Sequence, residues 1–179
     1  MTARLTLIVV PPLDDRRALA FPGRDRRVLP FDSLPDGVRN WLSSADRLFC
    51  APEIAIESGT LAIRFDAGDA LAEVDYGAWA GRVMNEIVER DPEGFTLWRR
   101  DMAAVPHGGE SLIAVRARLT SWLVSLEKGS MAMVSATIAR VLVAAAVDLP
   151  LPVIWQLDPQ PWAAVELTRY RGRWSLRLG

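Results

Sequence analysis

The sequence has little histidine and little cysteine, because His107 is its single imidazole and Cys50 its single thiol in 179 residues. Histidine is the side chain whose unperturbed pKa lies near neutrality, so it often carries protons or acts as a nitrogen nucleophile. A mechanism that needs two imidazoles from this chain is excluded by counting. One cysteine cannot form an internal disulfide, and its neighbours Leu48, Phe49 and Ala51 predict a buried thiol at a strand end.

Long apolar runs and a strong net charge are also lacking. The longest apolar segment, residues 141–147, is too short to span a membrane, and the N-terminus enters a strand without a signal-peptide pattern. The formal net charge of −1 gives no general attraction for nucleic acid or an anionic membrane. We therefore expect a cytoplasmic protein that binds neither nucleic acid nor membrane. The arginines between residues 16 and 27 are expected to form a solvated loop face.

The order of apolar segments predicts an α/β protein. Residues 5–10 form a continuous, β-branched apolar run, which is typical of a strand buried on both faces. Helical spacing predicts helices at residues 36–44, in two short segments from 82 to 101, at 112–127 and at 138–147. Residues 11–32 are expected to form a loop. Further strands are predicted at residues 47–50, 61–65, 131–134, 153–157, 163–170 and 174–178, the last two as an edge hairpin.

Strands separated by helices predict one domain over residues 1–179, a three-layer α/β/α sandwich with a mostly parallel sheet and an edge hairpin near the C-terminus. The helices at about residues 82–108 are expected to form a lid over the C-terminal ends of the strands. In such sheets, ligands bind where strand ends meet the crossing loops. We therefore place the candidate site just after Val10, Cys50, Phe65 and Val134.

The residues near these strand ends offer few other chemistries. The acidic residues between 66 and 75 could hold a hard cation, but the segment lacks turn glycines at ligand spacing, which favours solvated acids. Neither Cys50 nor Ser135 has an identifiable base that would make it a nucleophile. The sequence has no Gly-rich phosphate loop, dinucleotide-binding fingerprint or zinc pattern. We therefore predict neither a cofactor nor a bound metal.

Two segments carry a resemblance to a known family. One reads Leu-Ala-Glu-Val-Asp-Tyr-Gly-Ala-Trp-Ala-Gly over residues 71–81, and the other reads Pro-His-Gly-Gly-Glu-Ser over residues 106–111. With Cys-Ala-Pro at 50–52 and Met-Val-Ser at 133–135, in this order, the chain resembles the histidine phosphatase superfamily, the phosphoglycerate-mutase-like family. It is most similar to the small phosphatase branch that includes α-ribazole phosphatase. The resemblance covers residues 5 to about 167.

The resemblance implies a phosphotransfer site whose residues this sequence has lost. Members of the family transfer phosphoryl groups through a phosphohistidine, and their first strand ends in Arg-His-Gly. Two arginines and a second histidine surround the phosphoryl oxygens. Carried over onto this sequence, Val9 stands for the first arginine, Val10 for the nucleophile and Pro11 for the glycine. Ala55 stands for the second arginine and Ala136 for the second histidine.

Glu73 occupies the place of the family's general acid. Apolar residues at Val9, Val10, Ala55 and Ala136 imply a dry cleft floor with little affinity for phosphate. The resemblance therefore predicts a catalytically inactive member, a pseudoenzyme that binds a small ligand or a protein through a vestigial cleft.

Some conspicuous residues have simpler interpretations than catalysis. His107, in a loop before a helix, is expected to have a surface or capping role. Glu110 and Ser111 are expected to serve the N-terminus of the following helix. Most of the seven tryptophans must lie in the core, although Trp79 and Trp98 are expected to border the site.

Two alternatives stay open. One is a phosphoric-ester hydrolase that works without phosphohistidine, using Glu73 or a metal. The other is a structural subunit, for example a homodimer, that associates through the edge hairpin after Ala163 or through exposed tryptophans.

Overall fold

The computed structural model of the chain describes residues 2–12, 19–23, 25–57, 63–126 and 129–177. Within these ranges, the strands β1 to β7 are Ala3–Val9, Arg27–Pro30, Arg47–Cys50, Ile54–Glu57, Gly129–Val134, Ala164–Tyr170 and Arg173–Arg177. The helices α1 to α5 are Asp36–Ser44, Met84–Arg90, Pro92–Arg100, Leu112–Ser125 and Ala136–Ala146. Short 3-10 helices include Asp69–Leu71, Gly77–Trp79 and Leu151–Gln156. None of the helices in the described ranges is long and apolar enough to cross a membrane.

The main sheet has the strand order β3-β5-β1-β6-β7. Strand β1 is central and pairs in parallel with β5, which in turn pairs in parallel with β3. Strands β6 and β7 form the predicted C-terminal hairpin and are antiparallel to β1 and to each other. Leu5, Leu7 and Ile8 are fully buried, as predicted for a strand covered on both faces. The predicted α/β/α sandwich and its edge hairpin are confirmed.

Helices α4 and α5 pack against each other beside the sheet. Ser111 caps α4 because its hydroxyl accepts a hydrogen bond of 3.2 Å from the Ala114 N–H, as predicted. The predicted apolar stripe of α4 is buried throughout. It consists of Leu112, Val115, Leu119, Leu123 and Leu126. Ser135 caps α5 in the same way through the Ile138 N–H, and α5 thus begins directly after β5.

The prediction of a strand at residues 153–157 is wrong, because Leu151–Gln156 forms a 3-10 helix. Pro152 lies in its first turn, where a fixed φ near −65° suits a helical turn and the missing N–H costs nothing. Ile154 is then buried while Trp155 is half-buried on another side of the turn. This turn brings Trp155 towards the sheet edge that carries the candidate site.

A separate two-stranded sheet replaces part of the predicted loop at residues 11–32. Strand β2 pairs in parallel with β4, so Arg27 lies opposite Ile54. The alternation Ile54-Ala55-Ile56 favours an extended strand here. The strand predicted at residues 61–65 is not found over 63–65, and residues 61 and 62 lie outside the described ranges. Asp66 instead forms an isolated bridge to Phe49 at the edge of the main sheet.

Candidate functional site

A cleft of about 430 Å³ lies at the C-terminal ends of β1 and β5. Val10 follows β1, while Ser135, Ala136 and Thr137 connect β5 to the first turn of α5. The cleft therefore has the position predicted for ligand binding in an open α/β sheet. Aromatic and charged residues line much of the remaining surface of the cleft. Its other lining residues are Pro12, Ala20, Pro22, Gly23, Gly81 and Met84.

Aromatic rings form one wall of the cleft. Trp98 of α3 and Trp155 of the Leu151–Gln156 turn have ring centroids 4.9 Å apart. Phe21 packs 5.3 Å from Trp98 and 5.0 Å from Tyr76, so the rings form a continuous cluster. Such edge-to-face pairs add to the free energy gained by burying their surface. The prediction that Trp98 borders the site agrees with this wall, whereas Trp79 packs behind it against Phe21.

Charged residues also line the cleft, namely Asp25, Arg26, Arg27 and Arg140. The half-buried Arg27 donates from Nη1 to the Pro11 carbonyl at 3.4 Å. Arg140 of α5 donates from Nε to the Leu157 carbonyl at 2.7 Å, and its Nη2 lies 3.8 Å from Asp158 Oδ1. The prediction of a solvated loop face is therefore wrong for Arg27, because β2 turns its side chain towards the cleft. Arg16, Arg17 and Arg24 of the same stretch lie outside the described residues.

A small pocket adjoins the cleft, shares Arg27 and Ser135 with it, and is also lined by Glu53 and Glu73. The Glu73 N–H donates to Glu53 Oε1 at 3.2 Å, and the Val74 N–H donates to Glu73 Oε1 at 3.0 Å. Ser135 lines the same pocket, and its interaction with the Glu73 carboxyl favours the charged form of that group. Within the described part of the chain, Oε2 of each glutamate is buried without a hydrogen-bond partner.

Burial raises the pKa of Glu73, because the low-dielectric interior penalises its charged form. Hydrogen bonds from Ser135 and Val74 and the positive charge of Arg27 oppose this shift, while the nearby Glu53 adds to it. Burial likewise raises the pKa of the Tyr76 phenol, and Glu73 adds to that shift. Glu73 is therefore a carboxyl group that favours its protonated form more than an exposed glutamate does.

The residues predicted for the vestigial site separate into four places. Val10 and Ala136 line the cleft, and Glu73 lies in the adjoining pocket. Val9 is buried within β1, where its backbone pairs with Val134. Ala55 is half-buried on β4 and is absent from the lining of both cavities. This position lies within strand β4, Ile54–Glu57.

His107 is buried, so the prediction of a surface role is wrong. Its Nδ1 accepts a hydrogen bond of 3.1 Å from the Gly109 N–H, and its ring packs 5.2 Å from Trp79 and 5.8 Å from Tyr76. Burial lowers its pKa, and the charge of Asp75 opposes this shift. His107 does not line the cleft. The glycines and aromatic residues around it keep the imidazole in a structural position.

The two motifs that carried the resemblance are locked to each other. The Ala78 N–H donates to the His107 carbonyl at 2.9 Å, and the Glu110 N–H donates to the Asp75 carbonyl at 2.7 Å. A Cβ atom at Gly77 would overlap the His107 carbonyl, and one at Gly109 would overlap the Asp75 carbonyl. Gly77 also has a positive φ of 46°, which side chains disfavour. The close approach of the two loops explains the glycines.

Glu110, predicted to serve the N-terminus of α4, has its carboxylate in an ion pair with Arg118. Its Oε1 accepts from Arg118 Nε at 2.8 Å and its Oε2 from Arg118 Nη2 at 2.9 Å. Arg118 also donates to the carbonyls of Ala70 and Ala72. These bonds hold in place the backbone of residues 70–72, which directly precede Glu73.

The other candidate chemistries find little support in the geometry. Asp66 is exposed and pairs with Arg47 at 2.7 Å, and Asp75 Oδ1 accepts from the Gly77 N–H at 2.9 Å. Over the described ranges, no group of three His, Cys, Asp or Glu residues could hold a metal ion. The buried Cys50 thiol donates to the Ile54 carbonyl at 3.2 Å. Each of the seven tryptophans is buried or half-buried.

Sequence reasoning missed Arg27 and Glu53, which line the same pocket as Glu73. Arg27 stood in a segment interpreted as a loop, and Glu53 was not singled out. The signal for β2 was the short run Val28-Leu29 after Arg27, which pairs with β4. Glu53 gave no local signal, because its burial depends on tertiary contacts.

A model of the histidine phosphatase superfamily (branch 1) matches residues 35–178 of this chain. The chain belongs to the histidine phosphatase superfamily. The resemblance that the motifs carried is thereby confirmed, and the cleft of this superfamily member can be compared with phosphatases of known structure.

Solved phosphatase structures share the fold. The α-ribazole phosphatase from Shigella flexneri aligns with a TM-score of 0.74 at 16% identity, over 98% of this chain and 95% of that one. A mycobacterial glucosyl-3-phosphoglycerate phosphatase in complex with VO3 aligns with a TM-score of 0.73 at 22% identity, over 98% of both chains. At these identities the likeness concerns the fold alone.

Curated relatives match over shorter segments. A bifunctional protein from Mycobacterium tuberculosis is 35% identical over 102 residues, which cover 54% of this chain and 28% of that protein. Phosphoserine phosphatase 1 from Hydrogenobacter thermophilus is 36% identical over 61 residues, 34% of this chain and 29% of that protein. The chain thus spans less than a third of the length of these relatives.

Proposed function

We propose that this superfamily member has lost phosphohistidine chemistry and binds a small ligand in the cleft. One observation carries the proposal: the only histidine of the sequence lies outside the cleft, while Val10 and Ala136 line it. Phosphoryl transfer through a phosphohistidine needs an unprotonated imidazole nitrogen within reach of phosphorus. A valine and an alanine offer no such atom.

His107 is a poor substitute for the missing nucleophile. Its Nδ1 is occupied by the Gly109 N–H, and the rings of Tyr76 and Trp79 cover its faces. Moving it into the cleft would break the interlocked backbone bonds between Ala78 and His107 and between Asp75 and Glu110. The fold therefore supports a structural role for His107.

Arg27 and Arg140 do not restore the reaction by themselves. Preorganised cations and donors stabilise developing charge, and the loss of one donor typically costs about 3 to 4 kcal/mol in a transition state. Without a nucleophile, however, no phosphorus–nitrogen bond forms whose transition state they could stabilise. Cations at an apolar floor support binding of an anion rather than its turnover.

The test is an assay of the purified chain with p-nitrophenyl phosphate, alongside the Glu73→Gln variant. We expect no release of p-nitrophenol above the level of the variant, and no acid-labile phosphoprotein after incubation with a labelled phosphoester. Turnover that scales with protein concentration and disappears in Glu73→Gln would contradict the proposal.

A second candidate, a phosphoric-ester hydrolase that uses Glu73 without histidine, is favoured by one observation. Glu73 is buried with an unpaired Oε2 beside Glu53, and its pKa is raised, as suits a general acid. This candidate predicts activity that is lost in Glu73→Gln but kept in His107→Gln. Addition of a chelator separates a metal-dependent mechanism from one that uses Glu73 alone, because a chelator would stop only the metal-dependent reaction.

A further inference from the structure

Among the residues that the structure describes, the lining of the cleft carries more positive than negative side chains. These are Arg26, Arg27 and Arg140, with Asp25 as the one acid of the described lining. Two of these arginines are already partly compensated, because Arg140 lies 3.8 Å from Asp158 and Arg27 adjoins Glu73. The remaining charge suits a group with one negative charge better than a dianionic phosphate, which needs several unshared donors.

The aromatic wall of the cleft is suited to a planar apolar body. Trp98 and Trp155 lie in contact, and both line the cleft with Phe21 and Met84. Trp155 Nε1 is buried without a hydrogen-bond partner in the described ranges. Buried donors without acceptors are uncommon in folded proteins.

The floor of the cleft differs from that of a phosphate-binding site. Val10 and Ala136 present only apolar side chains, and the Ser135 hydroxyl is already engaged with the Ile138 N–H and Glu73. The N-terminus of the eleven-residue helix α5 adds a favourable dipole for one negative charge. The volume of about 430 Å³ is that of a small-molecule site.

We infer that the cleft binds a small organic monoanion with an aromatic body, its carboxylate or sulfonate held by Arg27 and Arg140 and its ring against Trp98 and Trp155. The inference rests on the proposed binding function and names its ligand class. Inorganic phosphate alone lacks the body that the wall would cover, and a neutral arene lacks the charge.

Isothermal titration calorimetry with naphthoate, naphthamide and inorganic phosphate tests this inference on the full chain. We expect naphthoate to bind about tenfold or more tightly than naphthamide, which has the same ring without the charge. Phosphate is expected to bind more weakly than naphthoate. Equal binding of naphthoate and naphthamide, or tighter binding of phosphate, would overturn the inference.

Arg140→Met should weaken naphthoate binding about tenfold or more and leave naphthamide binding unchanged. Arg116→Met is the matched control, because both arginine side chains are 28% exposed and each pairs with a more exposed aspartate. Trp155→Phe, with Trp155→Leu as the more severe change, should weaken both aromatic ligands, and circular dichroism confirms that each variant is folded. An unchanged naphthoate affinity in Arg140→Met would contradict the assignment.

The phosphatase assay on the same preparations separates the two proposals. Turnover of p-nitrophenyl phosphate together with the expected naphthoate binding would overturn the loss of catalysis and leave the ligand class standing. Absence of both turnover and naphthoate binding would overturn the ligand class alone.

Discussion

Glu53 and Glu73 share one buried pocket, in which the backbone N–H of Glu73 donates a hydrogen bond of 3.2 Å to Glu53 Oε1. Burial in this pocket gives the ionisation of Glu73 a cost in free energy, and the nearby Glu53 adds to that cost. Arg27 lines the same pocket and offsets part of that cost. The pair therefore links the protonation of Glu73 to the stability of the site.

The Glu73→Gln substitution should change the pH dependence of stability. Burial raises the pKa of Glu73 above 4.5, so folded Glu73 binds a proton more tightly than unfolded Glu73. Its favourable contribution is present below the unfolded pKa and is lost as pH rises through the folded pKa. We therefore expect the free energy of unfolding of Glu73→Gln to rise relative to that of the unmutated chain above about pH 4.5, by about 1.4 kcal/mol per unit of pKa shift.

Urea denaturation at a series of pH values measures this difference. Glu89→Gln is the control, because Glu89 is exposed on α2. This variant controls for the removal of a carboxylate from an exposed position. A Glu73→Gln difference that falls as pH rises would contradict the expected direction.

The Gly109→Ala substitution should destabilise the fold strongly. A Cβ atom at this position would overlap the Asp75 carbonyl and force apart the two loops that surround His107. Overpacking of this kind typically costs about 1 to 3 kcal/mol, and we expect a loss near the upper end. Thermal unfolding followed by circular dichroism gives the value.

Gly37→Ala serves as the comparison for Gly109→Ala. Gly37 lies in α1, and a Cβ there would make ordinary contact with Trp41 at 3.9 Å. Alanine favours helix over glycine by about 1 kcal/mol, so this variant should be as stable as the unmutated chain or more so. Equal losses of stability in both variants would show that the contact between the two loops is no more sensitive to an added Cβ atom than helix α1 is.

Cys50 should resist thiol reagents in the folded protein. Burial, and to a lesser extent the charge of Glu53, raises the pKa of its thiol to about 12. Only the thiolate reacts, so modification near pH 8 should be slow until the chain unfolds. A thiol-disulfide reagent added with and without concentrated guanidinium chloride measures the protection, and rapid reaction of the folded protein would contradict the buried position.

His107 should hold its proton on Nε2 when neutral, because its Nδ1 accepts from the Gly109 N–H. Burial lowers its pKa from 6.5, so its titration midpoint in the folded protein should lie below that value. The unfolded chain then binds the proton more tightly, and the contribution of His107 to stability rises with pH through this window. Nitrogen-15 chemical shifts of the single imidazole report both the tautomer and the midpoint, and a midpoint above 6.5 would contradict its burial.

The sequence predicted the regular elements whose periodicity was long or strongly apolar. Strand β1 and helix α4 were found because their buried residues repeat over at least two turns or a continuous run. The 3-10 helix at Leu151–Gln156 was mistaken for a strand, because a segment of six mostly apolar residues is too short to show whether its apolar positions follow a helix or a strand period. Strands β2 and β4, of four residues each, were not predicted, although β3 of the same length was.

The site was predicted in part for a similar reason. Val10 and Ala136 lie at ends of predicted elements, and both line the cleft. Arg27, Glu53 and Trp155 enter the site only through pairing and turns that join distant parts of the chain. Their local sequence therefore carried no sign of their neighbours.

Gly77 and Gly109 have a consequence for how proteins of this kind are recognised. Both lie in the motifs that carried the resemblance, and their close backbone approach depends on neither a ligand nor a catalytic side chain. A sequence pattern anchored on these glycines therefore groups proteins by how two loops fit together. Catalytic chains and chains that only bind a ligand would match this pattern equally well. The residues at the end of the first strand are the ones that should distinguish the two kinds of protein.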